Sequence, residues 1–324
     1  MKPIFAIEAD GQDVTDRFMT GFNSLTVTDE AGEKSDTVRI TLADAKKQIT
    51  NIKKGVKLRV RLGYQKPGQR PELHDVGRFV VDDVCYSGPP HQVEVTGRAA
   101  DFTASLKGYK TRSFSGKTLG DIVGIIAGDH GLTLHMDESL GKQAIKHIDQ
   151  TDESDLHFLT RLARQYDAVA KPVANDLLFT LQSAARTATG KELPEKVVQG
   201  NEITNYRYGA AERSEFGHVK AYWRKDAEAK RVEVLEGDDT LPGKTLHTPF
   251  PTEAEARAAA KAELSRLQRQ GRELTLTMPG SADVFAERPL VVQALHPEID
   301  GRYICKRVQH NLNDRGYSMN ITAA

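Results

Sequence analysis

Apolar and polar residues alternate with period two through much of the N-terminal part of the chain. The runs are Phe5–Ala9, Leu25–Thr28, Thr37–Leu42, Val56–Leu62, Arg78–Val81 and Gln92–Thr96. Alternation of this kind puts one face of a strand inside and the other outside. It is sharpest in Val56-Lys-Leu-Arg-Val-Arg-Leu62, which is apolar on one face and basic on the other. Turn formers separate the runs: Asp10-Gly11, Ala31-Gly32, Lys66-Pro67-Gly68 and Ser87-Gly-Pro-Pro90. Glycine and proline end strands for conformational reasons, so short strands at this spacing predict a small barrel or sandwich over residues 1–105.

The period then lengthens. Leu119, Ile122, Val123 and Ile126 share one helical face, and Gly131 is a suitable stop. A second stripe is formed by Leu156, Phe158, Leu159, Leu162, Ala163 and Tyr166. Their helical spacing predicts an amphipathic helix from Thr151 to Asp167. Thr151 would be its N-cap, with Asp152, Glu153 and Asp155 in the first turn, where the helix dipole favours negative charge. Arg161 and Arg164 fall towards the other end, and Pro172 prevents continuation. Asn175-Asp176 then reads as a turn and Leu177–Leu181 as a strand.

Strand patterns return at Val219–Trp223, Arg231–Leu235, Glu273–Met278, Leu290–Val292, Tyr303–Val308 and Tyr317–Ile321. Between them lies a helix over 252–270. It opens with a capping box, Thr252-Glu-Ala-Glu255, is filled with alanine, and ends at Gly271. One echo links the two ends of the chain. Gly77-Arg-Phe-Val-Val-Asp-Asp-Val84 and Gly301-Arg-Tyr-Ile-Cys-Lys-Arg-Val308 share glycine, arginine, an aromatic, two apolar residues, two charges and valine. The expected class is therefore α+β, mainly β. Two small β-barrel domains, 1–105 and 195–324, are joined by a mixed α/β middle region, 106–194, with the helix 252–270 inserted in the second.

Composition narrows the function classes. Of 324 residues, 45 are Lys or Arg and 45 Asp or Glu, so the formal net charge is zero. Phosphate binding needs a positive field, so nucleic acid is not the expected partner. A neutral chain also lacks charge repulsion against self-association. Two cysteines, Cys85 and Cys305, are too few for a disulfide scaffold. Met1–Asp10 reads as a strand and not as a signal peptide, and no run approaches the roughly 18 apolar residues of a membrane-spanning helix. The expectation is a chain made in the cytoplasm that inserts in no membrane of its own.

Four places in the chain hold candidate chemistry. Ser115-Gly-Lys-Thr118 has the end of a phosphate-binding loop, but position 111 is threonine where that loop needs glycine. A helix start explains it better. His130, His135, His147 and His157 have spacings that fit neither a helical pair nor a zinc site. Asp152, Glu153 and Asp155 could serve as acid and base of a glycosidase, yet an acidic first helical turn needs no catalysis to explain it. Tyr222 and Trp223 read as packing residues. No catalytic, cofactor-binding or metal-ligating residue is assigned.

Three stretches carry a resemblance. Glu153-Ser-Asp-Leu-His-Phe-Leu-Thr-Arg-Leu-Ala163 resembles the ESD-x-x-FL-x-R-L-A signature of the phage late control protein D family, the hub of contractile-tail baseplates, related to the hub part of type VI secretion spike proteins. Ser115–Val123 is similar to the helix that precedes it there. Gly301–His310 followed by Arg315-Gly-Tyr-Ser-Met-Asn-Ile321 is similar to its closing strand pair, with Ser318 in place of threonine. The resemblance implies a homotrimer whose subunits each give two barrels, so that six form a ring between a six-fold tail tube and a three-fold central spike. It implies a structural part of a phage tail or phage-tail-like bacteriocin, with tube, spike and other baseplate proteins as partners and no cofactor. The sequence lacks a β-helical repeat and a lysozyme-like segment, so the spike is expected as a separate polypeptide. A tail-associated peptidoglycan hydrolase is the competing reading.

Overall fold

The alternating runs become strands in the computed structural model, which describes residues 1–32, 35–50, 52–99, 104–173, 176–182, 193–210, 216–225 and 230–324. The N-terminal elements are β1 (Lys2–Ala9), β2 (Gln12–Asp13), α1 (Thr15–Met19), β3 (Phe22–Glu30), β4 (Thr37–Ala43), β5 (Lys57–Gln65), β6 (Glu72–Ser87) and β7 (Gln92–Ala99). The middle contains β8 (Tyr109–Thr118), α2 (Leu119–Asp129), β9 (Thr133–Met136), α3 (Glu138–Gly141), β10 (Ala144–Ser154), α4 (Asp155–Gln165), β11 (Ala168–Val173) and β12 (Asp176–Leu181). Then follow β13 (Lys196–Gln199), β14 (Asn205–Ala210), β15 (His218–Lys225), β16 (Lys230–Gly237), β17 (Gly243–Thr245) and α5 (Glu253–Gln270). The chain closes with β18 (Arg272–Pro279), β19 (Pro289–Gln293), β20 (Gly301–Asn313) and β21 (Gly316–Ala323).

The chain divides into two compact units. The first comprises Met1–Asp101, Glu195–Arg207 and Leu274–Ala323. Its strands run in the order β14-β18-β21-β20-β3-β4-β7-β6-β5-β1-β2, with β19 on β20 and β13 on β19. β20 pairs antiparallel with β3, His310 opposite Val27, so both ends of the chain share one sheet. Among the described residues these ladders trace one open path and not two closed barrels, because β3 reaches β1 only through β4, β7, β6 and β5. The apolar face expected from the alternation is the core: Ile7, Leu25, Val27, Val38, Ile40, Val60, Leu62, Val93 and Val95 are fully buried. The basic face of β5 meets acids, with Arg61 2.7 Å from Glu8 and Arg59 2.7 Å from Asp75.

The sequence echo is also an echo of geometry within this unit. Gly77 and Gly301 both take positive φ, +144° and +157°, conformations that side chains disfavour. The aromatic that follows is buried in each case, Phe79 and Tyr303, as is the residue two further on, Val81 and Cys305. Both strands then slip register at the same place, between Val81 and Asp83 against β7 and between Cys305 and Arg307 against β21. The paired charges Asp82-Asp83 and Lys306-Arg307 thus mark a β-bulge in each copy.

The second unit comprises Phe102–Pro194 and Tyr208–Glu273. β8 pairs with β10, β12 lies between β11 and β9, and β15 lies between β16 and β17. α2 and α4 cover one core, where Leu119, Ile122, Val123, Ile126, Phe158, Leu159 and Leu162 are fully buried. Thr118 caps α2 with Asp121 in a reciprocal capping box, which settles Ser115–Thr118 as the end of a strand and the start of a helix. The helix expected over 252–270 is α5, capped by Thr252. It belongs with this unit and packs on β15 and β16 through Ala256, Ala260 and Leu267 against Val219, Ala221 and Val234. Alanine lets helix and sheet approach closely there.

One boundary differs from expectation. The acidic stretch before α4 is not its first turn. Gln150–Ser154 is the end of β10, and α4 begins at Asp155 with Ser154 as N-cap. Thr151 is therefore not the cap. β10 carries an irregularity between Gln150 and Glu153 opposite Arg112 and Lys110. Asp152 sits there at φ +45° and donates its N–H to the Thr111 hydroxyl at 3.1 Å. The turn read at Asn175 lies outside the described residues.

Candidate functional site

The carboxylate of Asp155 in the second unit is fully buried, at 0% exposure. Helix α4 delivers it, and four side chains from three further elements meet it. From β8, Arg112 donates through Nη2 to Oδ1 at 2.7 Å and Lys110 through Nζ to Oδ2 at 2.7 Å. From the C-terminal end of α2, His130 places Nε2 2.7 Å from Oδ2. From β10, the buried Gln150 donates through Nε2 to Oδ1 at 2.9 Å. Arg112 also reaches Asp129 at 2.7 Å and Gln150 Oε1 at 2.8 Å, so two cations face two carboxylates. Lys110 and Arg112 are two residues apart on one strand and thus point the same way.

This environment fixes the protonation of Asp155. Burial alone would raise its pKa. Hydrogen bonds from His130, Lys110 and Gln150, with the Arg112 charge, outweigh burial and hold the carboxyl down at about 2. A general acid must carry its proton near neutral pH, so Asp155 cannot act as one. Its neighbour Glu153 is engaged by Arg161, Nη2 to Oε2 at 2.8 Å and Nε to Oε1 at 3.2 Å. Asp152 stands outside on the bulge. The three carboxylates raised by the sequence are thus parted among solvent, an ion pair and a buried network. Arg161 also donates to the Asp149 carbonyl at 2.7 Å and lies over the Phe158 ring at 5.0 Å. Arg164 has partners too, so the basic residues on the polar face of α4 are both engaged.

The four clustered histidines do not converge. His130 joins Asp155, His135 lies 3.1 Å from Asp176, His147 lies 3.1 Å from Asp149, and His157 is on the exposed side of α4. No group of three or more His, Cys, Asp or Glu among the described residues is disposed to hold a metal ion. Tyr222 hydrogen-bonds Glu233 at 3.3 Å, and Trp223 packs at the edge of the α5 core.

A second buried polar group lies in the first unit, on the closing strand pair. The Tyr317 hydroxyl meets Nδ1 of His310 at 2.9 Å across the β20–β21 hairpin. Tyr64 on β5 packs on Tyr317 at 5.5 Å between ring centroids and donates to the Gly280 carbonyl at 3.0 Å. Burial pushes His310 down to about 4, against a backbone hydrogen bond at Val284 that favours the charged form. His310 is therefore neutral, with Nδ1 accepting from Tyr317.

These two networks lie on the stretches that carry the resemblance, and comparison with known proteins agrees with them. The family model of the phage tail baseplate hub (GPD) matches residues 37–316. The chain belongs to the phage tail baseplate hub family. It is 30% identical to the probable baseplate hub protein of Escherichia phage 186, over 99% of this chain and 92% of that protein. It is 28% identical to the probable baseplate hub protein of Escherichia phage P2 over the same shares. Its fold is shared with the 43 kDa tail protein of prophage MuSo2 from Shewanella oneidensis, at a TM-score of 0.73 and 16% identity over 100% of this chain and 98% of that one. It is shared also with an E. coli protein described as a type VI secretion component similar to T4 tail proteins gp27 and gp5, at 0.54 and 12% identity over 100% and 76%.

The hub's signature residues now have physical roles. Glu153 holds Arg161, Ser154 caps α4 by accepting the His157 N–H at 3.2 Å, and Asp155 ties α4 to β8, α2 and β10. Phe158, Leu159, Leu162 and Ala163 fill the core. His310 and Tyr317 lock the closing hairpin by bonding each other.

Proposed function

We propose that the hub works as a homotrimeric ring at the tail baseplate, adapting the six-fold tail tube on one side to the three-fold spike on the other. Each chain contributes two related β-lobes, so that three chains present six. The observation that carries this reading is the repeated Gly-Arg-aromatic strand, whose copies share a positive-φ glycine, two buried positions and a bulge at the same step. Two similar lobes in one chain are what a trimer needs to offer near six-fold symmetry. In that scheme the segments between about 105 and 195 are the middle region; the first unit breaks off near those two positions, and the second unit takes in Tyr208–Glu273 as well.

The ring acts through shape and force transmission. A peptidoglycan hydrolase built on Asp152, Glu153 or Asp155 is disfavoured by the geometry: an ionised, fully buried Asp155 and a Glu153 held by Arg161 leave no acid and base facing a common space. The hub and its spike would assemble in the bacterial cytoplasm, with tube and other baseplate proteins joining. Electron microscopy of the hub co-expressed with its spike tests the reading. End-on averages with six lobes around a channel are expected. Particles that stay single chains beside the spike would overturn it.

A further inference from the structure

The β8–β10 ladder carries an alignment of side chains that a ring does not require. Ser115 and His147 face each other in the strand register. The Ser115 hydroxyl lies 2.7 Å from Nδ1 of His147, and Nε2 of the same ring lies 3.1 Å from Oδ1 of Asp149. His147 and Asp149 are two apart on β10, so their side chains leave the strand on one face. A carboxylate at Nε2 keeps the proton on that nitrogen, and Nδ1 is left with the lone pair that accepts the serine proton. Nucleophile, base and orienting carboxylate thus stand in the order that activates a serine. The two ring nitrogens have exchanged places relative to the serine-protease arrangement, which leaves the relay intact.

The surroundings suit an open site. His147 and Asp149 are 52% and 57% exposed, and Ser115 is exposed as well. A molecule in solution reaches the hydroxyl with no movement of the chain. Gly116, at φ +62°, turns the backbone directly after Ser115, and Lys117 follows as the next cation along β8.

We propose that Ser115, His147 and Asp149 form a nucleophilic site that hydrolyses small O-acyl esters presented from solvent, acetyl esters above all. The compact acyl group follows from the site being open, since nothing encloses a longer one. Ser115 Oγ attacks the carbonyl carbon and its proton passes to Nδ1 of His147. The bond from carbonyl carbon to alcohol oxygen breaks, and the alcohol leaves with that proton. Water then adds to the acyl-serine and gives a proton to Nδ1. Ser115 departs with it as the carboxylic acid is released. Ester and water supply every atom. Asp149 is a positioning residue in this scheme, acting through the ring.

The test is hydrolysis of p-nitrophenyl acetate by the purified full chain, beside Ser115→Ala, His147→Gln and Asp149→Asn. All three positions are exposed, so the variants keep the fold. Ser115→Ala and His147→Gln should each lower nitrophenol release by about a hundredfold, the low end of what a positioned base contributes. Asp149→Asn should retain an acyl-serine but change the pH profile of its turnover. Peptide mapping of the wild type during turnover should place the acetyl group on Ser115. Equal rates for wild type and Ser115→Ala, or acetyl label confined to lysines, would overturn the proposal.

Discussion

Asp155 shows how much one side chain can organise. It accepts four charged or polar donors drawn from three other elements, and each donor loses a partner if the carboxylate goes. Removing one side of a buried ion network strands the rest in low dielectric, which costs about 3–5 kcal/mol. Asp155→Ala should lower the denaturation midpoint of the second unit by that order, and Asp155→Asn by less, since an amide still accepts a hydrogen bond. A loss below about 1 kcal/mol for the alanine variant, near the value of an exposed pair, would show the network to be neutral. The sequence displayed the acidic residues but not this role, because Arg112 lies 43 residues upstream and no periodicity connects the two. The first-turn explanation was nonetheless sound for Asp155 itself, the first residue of α4.

His310 gives a second test at this scale. Its ordinary pKa of 6.5 is lowered to about 4 in the folded state by burial, so folding favours the neutral ring. The unfolded chain then binds more protons between those values, and stability must rise with pH across that window. The contribution is complete above pH 6.5 and is lost as pH falls to about 4. Its full size is on the order of 3 kcal/mol, from the 1.36 kcal/mol per pKa unit of linkage. Urea midpoints measured at steps through this range should show the slope, and His310→Gln should flatten it. An unchanged slope would place the acid sensitivity elsewhere.

Among elements, the strands with strict alternation and the helix α5 were legible, because each carried its own pattern and its own ends. The start of α4 was not. Thr151, Asp152 and Glu153 suit a first turn by composition, yet the ladder to β8 holds them as strand, with one irregular step that lets Asp152 bond Thr111. Cross-strand pairing has no local signature, and it outweighed the cap. The pairing of β20 with β3, which puts both chain ends in one sheet, was hidden for the same reason. The cap of α5 offers a direct check. Thr252 accepts the Glu255 N–H at 3.2 Å, and its hydroxyl donates to the Glu255 carboxylate at 3.0 Å. Thr252→Ala should cost about 1 kcal/mol in chemical denaturation, and Thr252→Ser should recover most of it. Equal stability of all three forms would mean that packing against β15 and β16 alone sets the helix.

For the whole molecule, membership of the baseplate hub family is shown by the match over residues 37–316 and by relatives that align along nearly the entire chain. What the sequence offered towards it was a signature of eleven residues, Glu153–Ala163, and an internal echo of eight, Gly77–Val84 against Gly301–Val308. Both proved to be structural statements: one is a helix cap with its buried anchor, the other a bulged strand made twice. A formal net charge of zero gives such a chain no repulsion to overcome on assembly. The central claim is that assembly is three-fold and bound to the spike. The solution mass of the hub, alone and co-expressed with its spike, tests it most directly. The account predicts a complex containing three chains of 35.8 kDa together with the spike, whether or not the hub is already a trimer alone. A hub that remains a monomer and fails to bind a trimeric spike would contradict it.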